Sequence, residues 1–594
     1  MNINAFLRDA TRIVFFTGKG GVGKTSLSCA TALSLARRGK TVLLVSTDPA
    51  SNLDEVLGTT LNGEPTPVPG VSGLFALNID PQSAAASYRE RVVGPYRGVL
   101  PAAAVASMEE QLSGACTVEI AAFDQFTKLL GSPEATASFD HIIFDTAPTG
   151  HTIRLLNLPA AWTGFISTNT TGTSCLGPLA GLESQKHLYA ASLQAIADGT
   201  MTTLALVARP EQAALVELER TRKELAALGM HRQVLFVNGM FTAKDRADEV
   251  ATALEARGIT ALNAMPAELS VLPRVDVPLA AIPPTGISGL TSLLADESLD
   301  SRPDRPAPTR EWPSLAELIE QIGNGGPGVV LTMGKGGVGK TTIAAAVAIA
   351  LADRGFTVHL STTDPAAHVL ETVSGVVPGL RISRIDPVAE TSRYTAEVLA
   401  ESGRECDAQA LALLEEDLRS PCTEEIAVFR AFAELIAARD TDFVVLDTAP
   451  TGHTLLLLDA AEAYHREVSR KLTGIPDSVR SLLPRLRDPA LTRVLLITLP
   501  EATPVHEAAR LQEDLRRAGI GTYAWIVNQS FAASATRDLL LRRKASLEVP
   551  YIEEVETALS QRISVLPWRP EEPVGPERLR QLTRATTRKE LVNQ

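Results

Sequence analysis

The stretch FFTGKGGVGKTS, Phe15 to Ser26, decides how this 594-residue chain is read, because it returns as LTMGKGGVGKTT, Leu331 to Thr342. Both copies fit G-x-x-x-x-G-K-[ST], with Gly18, Gly23, Lys24 and Thr25 in the first and Gly334, Gly339, Lys340 and Thr341 in the second. Each follows a short apolar run, Ile13 to Phe16 or Val329 to Thr332, and opens an Ala- and Leu-rich segment of helical character. Strand, glycine loop and helix in that order predict a phosphate-binding loop. Backbone N–H groups of Gly18, Gly20, Gly21, Val22 and Gly23 can converge on phosphate oxygens, as can those of Gly334, Gly336, Gly337, Val338 and Gly339. The helix N-terminus adds positive potential and the lysine a full charge. Ser26 and Thr342 complete the two binding segments. Two identical eight-residue cores in matched contexts predict two nucleotide sites.

The bulk properties narrow the class. The length exceeds what one core supports, and the repeat divides it into two similar domains. A net charge of −13 weighs against nucleic acid as a main partner, since phosphate backbones need a cationic face. No run approaches the roughly 18 apolar residues of a membrane span. The start, MNINAFLRDATR, lacks the apolar core of a secretory signal. Five scattered cysteines do not form a disulfide framework, so a reducing cytoplasm is expected.

Along the first half, a helix is expected from about Thr25 to Arg38, stopped by Gly39. The strand Thr41–Val45 then ends in Asp48-Pro49, and a polar segment rich in proline and glycine runs to about Gly73. Helical periodicity covers residues 83 to 130, including SGACTVEIAAFDQF. The strand His141–Phe144 delivers DTAPTGHT, Asp145 to Thr152. A strand at Thr203–Ala208, a helix rich in Glu and Arg, and LFVNGM ending near Asn238 follow. Alternating strands and helices predict an α/β fold with a mostly parallel sheet and helices on both faces.

DESLDSRPDRPAPTREWP, Asp296 to Pro313, loses periodicity and reads as a linker. The expected domains are therefore 1–297 and 313–594, joined by 298–312. The second half repeats TVLLVSTDPASNL as TVHLSTTDPAAHV, SGACTVEIAAFDQF as RSPCTEEIAVFRAF, and DTAPTGHT at Asp447 to Thr454. LFVNGM returns as WIVNQS around Asn528. The offset between copies is 316 residues at the lysines (24, 340) and at the Asp-Pro aspartates (48, 364). It falls to 306 at the cysteines (116, 422) and to 302 at the DTAP aspartates (145, 447). The motifs stay intact while the loops between them shorten, as in two homologous P-loop domains forming an internal pseudo-dimer.

In each loop Lys24 or Lys340 is expected on β- and γ-phosphate oxygens of ATP, and Thr25 or Thr341 on Mg²⁺. Asp145 and Asp447, ending buried strands, suit the same metal. Asp48 and Asp364 end neighbouring strands at the same edge. They are assigned as bases or water-positioning groups within reach of the Mg²⁺ site. Cys116 and Cys422 occupy equivalent positions. They would suit a soft, thiophilic ion if they converge, or are two small buried hydrophobes on a helix. His151 and His453, six residues after the DTAP aspartates, are ligands or packing residues.

K-G-G-V-G-K-T resembles the deviant Walker A loop of the MinD-type and nitrogenase-iron-protein-like ATPases. In that class a first lysine, here Lys19 or Lys335, reaches a nucleotide across a dimer interface. Asn238 and Asn528 resemble its adenine-recognising asparagines. Taken whole, the chain resembles the ArsA family of arsenite-stimulated ATPases. The likeness spans both loops, the STDPA and TTDPA segments, both DTAPTGHT segments, the linker and NTTGTSCLGPLAGLE. That resemblance implies As(III) or Sb(III) held by Cys116, Cys175 and Cys422, with His151, His453 and Ser420 nearby. It also implies metalloid-stimulated ATP hydrolysis in a cytoplasmic subunit docked on a membrane arsenite carrier at the inner membrane, with an arsenic metallochaperone as a possible donor. Two rival readings share the fold. A factor that carries hydrophobic tail anchors would normally show a C-x-x-C zinc clasp and many methionines, and this chain has no C-x-x-C and seven methionines. A redox ATPase would need more cysteines for an iron–sulfur cluster.

Overall fold

The computed structural model describes residues 2–584 apart from 49–52, most of 100–114, 147–185 save two dipeptides, 282–284, 295–309, 364–368, most of 402–420, and 449–476. The chain divides into two compact units. One contains residues 1–247 and 251–303, the other 248–250 and 304–594.

In the first unit the strands are β1 (Ile13–Thr17), β2 (Val42–Ser46), β3 (Thr66–Pro67), β4 (Leu74–Asn78), β5 (His141–Asp145), β6 (Thr202–Ala208), β7 (Gln233–Met240) and β8 (Arg274–Pro278). They form one sheet in the order β8-β7-β6-β1-β5-β2-β4-β3, parallel throughout except for the edge pair β3–β4. The strand residues alternate between two cores. Val14 and Phe16 of β1 pack on one face with Val42, Leu44 and Ile143, while Ile13 and Phe15 pack on the other with Leu43, Val45, Ile142 and Phe144. A strand buried on both faces needs apolar side chains at consecutive positions, which is why IVFF and HIIF carry no polar alternation. Phe15 and Phe144 stack across the β1–β5 pair with centroids 4.6 Å apart, an arrangement that adds to their burial.

The helices that position the site are α1 (Lys24–Arg37), α2 (Pro81–Val93), α3 (Ala115–Gly131), α4 (Lys186–Ala197) and α5 (Gln212–Ala227). Helix α1 leaves the end of β1 and buries ten of its fourteen residues, Leu27, Cys29 and Leu33 among them. The expected strand at Thr41–Val45 is found one residue later. The polar segment to Gly73 is not wholly irregular, since Leu53–Leu57 forms a short helix and Thr66–Pro67 the edge strand.

The second unit repeats the plan with β9 (Gly328–Met333), β10 (Val358–Thr362), β11 (Leu380–Ile382), β12 (Phe443–Asp447), β13 (Thr492–Thr498), β14 (Thr522–Ser530) and β15 (Ile563–Pro567). Its order, β15-β14-β13-β9-β12-β10-β11, matches the first sheet strand for strand, all parallel, without the β3 edge. The ten residues missing between the Asp-Pro aspartate and the next strand coincide with that edge. Its corresponding helices are α6 (Lys340–Asp353), α7 (Pro387–Glu401), α8 (Pro421–Ala437) and α9 (Ala502–Arg517).

An ion pair at equivalent positions ties the helical hairpin on the cysteine side of each sheet. In the first unit Arg91 of α2 pairs with Asp124 of α3, whose side chain is 8% exposed. In the second, Glu397 of α7 pairs with Arg430 of α8 at 2.6 Å. Both members sit 306 residues apart from their counterparts, so the same contact is made with the charges exchanged.

Candidate functional site

Each sheet brings its site together at the carboxyl ends of the central strands, where β1 lies between β5 and β6 and the strand order reverses. Open parallel sheets bind ligands at such a point. Register sets the distances: Asp145 lies beside both Phe16 and Ser46, and Asp447 beside both Thr332 and Thr362. The loop after β1, the DTAP aspartate and the segment after β2 therefore emerge side by side. Backbone bonds tie them, with Thr47 N–H donating to Asp145 O and Thr363 N–H to Asp447 O, both at 3.0 Å. The next residue adds a side-chain tie, Thr146 Oγ1 donating to Phe16 O at 2.8 Å and Thr448 Oγ1 to Thr332 O at 2.9 Å.

The phosphate loops are nearly superposable in their bonding. Val22 and Val338 are buried and pin each loop to the core. Gly23 and Gly339, the N-caps of α1 and α6, sit at φ of +94° and +93°, a region that disfavours any side chain. Neither helix start has a side-chain cap, so its first N–H groups face the loop. Lys24 and Lys340 are buried, and their Nζ atoms donate to Lys19 O and Lys335 O at 3.1 Å. Thr341 Oγ1 donates to Asp447 Oδ2 at 2.6 Å. A hydroxyl and a buried carboxylate so placed are hard oxygen donors, and they fit Mg²⁺, which takes one or two protein oxygens and completes its shell with water and phosphate.

Asn238 and Asn528 lie inside β7 and β14, each two residues short of the strand end expected for it, and their amides turn inward. Asn238 Nδ2 donates to Val22 O at 2.8 Å and Asn528 Nδ2 to Val338 O at 2.9 Å. A Cβ on Gly23 or Gly339 would stand 2.3 Å from the same nitrogen. Glycine and asparagine thus form one clamp on the loop in each unit.

Two residues that sequence reasoning did not single out complete the picture. Lys19 Nζ lies 2.9 Å from Glu217 of α5, and Lys335 pairs with Glu507 of α9. Both glutamates stand 290 residues apart, the offset also shown by Asn238 and Asn528. That shared offset was the available signal.

Cys116 and Cys422 are each the second residue of their helices, α3 and α8, but their side chains lie outside the described residues. Asp364, His151, His453, Ser420 and Cys175 also lie outside them, the last between the bridged dipeptides Thr173–Ser174 and Gly177–Pro178. Asp48 is half-buried, and its N–H donates to Ser46 Oγ at 3.3 Å. Cys29 is fully buried, and burial, then the charge of Asp145, pushes its thiol well up, as suits a core residue.

Beyond Asn528 the second unit carries a buried acid. Glu548 accepts from Ser530 Oγ and Ala532 N–H, both at 2.9 Å, and so holds the segment leaving β14. Burial pushes its carboxyl from 4.5 up to about 7, against the opposing pull of Lys544 and these two bonds. The folded protein therefore keeps a proton there that the unfolded chain releases. This contribution is full below pH 4.5 and is lost as pH rises through about 7. Replacing Glu548 with Gln is expected to remove that loss, worth about 3 kcal/mol at most. Urea midpoints of variant and wild type should converge near pH 4, with the variant higher at pH 8.

The family model for anion-transporting ATPases matches residues 11–295, 328–473 and 459–587. The chain belongs to that family. This anion-transporting ATPase is 51% identical over 587 residues to the arsenical pump-driving ATPase of Escherichia coli, covering 97% of the chain and 99% of that protein. It is 52% identical over 579 residues to the arsenical pump-driving ATPase of Acidiphilium multivorum, with the same coverage. ATPase get3 of Schizosaccharomyces japonicus is 30% identical over 267 residues, 41% of the chain and 78% of that protein. The anion-transporting ATPase therefore hydrolyses ATP and carries the nucleotide-binding plan twice. Among the described residues no helix is long and apolar enough to cross a membrane.

Proposed function

We propose that this ATPase is the energising subunit of an arsenite or antimonite efflux pump, stimulated by the metalloid and delivering it to a membrane carrier. The observation that carries the reading is the match to arsenical pump-driving ATPases at 51–52% identity over nearly the full length of both chains. Each site would bind ATP with Mg²⁺, Lys24 and Lys340 holding β- and γ-phosphate oxygens. Thr25 with Asp145, and Thr341 with Asp447, would hold the metal, which supplies charge neutralisation on the phosphates. Asp48 and Asp364 would position the attacking water, and Lys19 and Lys335 would stabilise charge on the transferred phosphoryl group of the opposite site. Asn238 and Asn528, clamped on their loops, would set the loop and the adenine side of the site together.

As(III) or Sb(III) is the cargo and activator in this reading, taken up by Cys116, Cys175 and Cys422 with His151, His453 and Ser420 alongside. DTAPTGHT supports the coupling, because six residues join Asp145 to His151 and Asp447 to His453. ATP should then tighten metalloid binding by the factor by which metalloid tightens ATP. The protein would work in the cytoplasm, held at the inner membrane through the carrier, and a metallochaperone would supply the metalloid as a family-level partner. Steady-state ATPase rate against arsenite tests the proposal in wild type and in Cys116→Ser/Cys422→Ser. Stimulation is expected in wild type and its loss in the double variant; a wild-type rate indifferent to arsenite and antimonite overturns it.

A further inference from the structure

The pairing of Lys19 with Glu217 and of Lys335 with Glu507 has no place in the chemistry described so far. Lys19 and Lys335 are the second residues of their loops, one position beyond Gly18 and Gly334. Their backbone carbonyls accept from Lys24 and Lys340, so the main chain at each position is already fixed by the loop. The side chain is then held by a carboxylate from a different element, the helix that follows the strand on the far side of β1 or β9. The lysine side chains are 35% and 24% exposed, while Glu217 and Glu507 are 11% and 8% exposed. Carboxylates so poorly solvated depend on a cation, which makes these contacts costlier to break than surface pairs.

The pair occurs independently in both units. Helices α5 and α9 span sixteen positions each, and in register they share only Glu217 with Glu507, Arg220 with Arg510 and Leu225 with Leu515. Around the glutamate nearly everything has diverged between the two copies. A helix that needed only amphipathic packing would have no reason to keep an acid at this one position in both. Leu225 and Leu515 are buried core residues, which explains their persistence by packing. The glutamates face the loop.

We propose that Glu217 and Glu507 are positioning residues that restrain Lys19 and Lys335 and thereby set a low unstimulated ATPase rate. The inference rests on the reading of Lys19 and Lys335 as groups that stabilise the transferred phosphoryl charge. An ammonium group carries three N–H donors, so the competition is one of place: on that reading each lysine serves the opposite site, and a side chain extended toward it gives up its glutamate. Each turnover must then break the glutamate contact and leave a nearly buried carboxylate without that cation. Whatever drives closure of the site has to supply this difference, and an activator supplies it better than thermal fluctuation. The glutamate is a brake on the signature lysine, and stimulation is in part its release.

The test is Glu217→Gln/Glu507→Gln in the full chain, with ATPase kinetics measured without arsenite. Gln keeps the length and polarity and removes the charge. The unstimulated kcat is expected to rise about tenfold, the scale of a lost charge-assisted contact, with KM for ATP within about twofold of wild type. Glu217→Asp/Glu507→Asp retains the charge at a shorter reach and should fall between the two. Lys19→Met/Lys335→Met, alone and added to the Gln changes, should show one low rate in both backgrounds. A kcat that falls or stays level in the Gln variant, at wild-type melting temperature, overturns the brake. Should the Gln variant melt lower, a kcat in the Asp variant at or below wild type overturns it equally. A Lys19→Met/Lys335→Met rate equal to wild type instead overturns the lysine reading itself.

Discussion

Replacing Lys24 and Lys340 together with Met is expected to lower kcat by about 100- to 1000-fold, the scale of removing one preorganised charge from a developing transition state. Met matches the buried stem of these lysines, which are 7% and 6% exposed. The change therefore spares packing and removes the ammonium group with its bond to Lys19 O or Lys335 O. A single-turnover measurement with Mg²⁺ and ATP separates this loss of chemistry from weaker binding. A double variant within threefold of wild type would show that the buried lysines are structural. The single variants then report on coupling: two sites that turn over independently leave about half the rate in each, whereas obligate cooperation leaves almost none.

Ala at Gly23 or Gly339 is expected to cost about 2–5 kcal/mol of stability, combining left-handed backbone strain with overpacking. The Cβ would stand 2.3 Å from Asn238 Nδ2 or Asn528 Nδ2, so it would also break the clamp onto Val22 O or Val338 O. Gly39 is the matching control. Its φ is +82° but nothing lies within 4 Å of its Cβ direction, so Gly39→Ala should show the backbone cost alone, about 1–2 kcal/mol. Denaturant midpoints for the three variants check this, and equal losses at Gly23 and Gly39 would remove the clamp from the account. Nucleotide affinity should fall with Gly23→Ala and stay level with Gly39→Ala.

Much of this architecture is legible in the chain because its signals are local. A glycine loop between an apolar run and a helical segment needs no distant partner to be recognised, and Asp145 and Asp447 announce themselves by ending runs of buried strand residues. The internal repeat does the rest, since the same motif at two places removes the ambiguity of either. The β3 edge escaped because Thr66 and Pro67 sit among turn formers, and two residues carry no period. The direction of the Asn238 amide was invisible because its partner, Val22 O, is 216 residues away. Glu217 was hidden for the same reason: in an Arg- and Glu-rich helix one acid looks like its neighbours until the fold sets Lys19 against it. Cys116 and Cys422 are visible in the sequence as cysteines at equivalent positions, while Cys175 and the reading of all three as soft ligands rest on resemblance.

A duplicated chain faces a hazard that a single-copy domain does not, because each half contains near-replicas of the other's parts while both are still folding. The hairpins α2–α3 and α7–α8 are the same element made twice, and apolar packing alone would scarcely distinguish the right partner from the wrong one. The exchanged ion pair supplies the distinction. A foreign match of α2 with α8 would set Arg91 against Arg430, and one of α7 with α3 would set Glu397 against Asp124. Each chain segment thus carries an address written in the sign of one side chain, and a gene that doubled acquired two lock-and-key sets from a single lock.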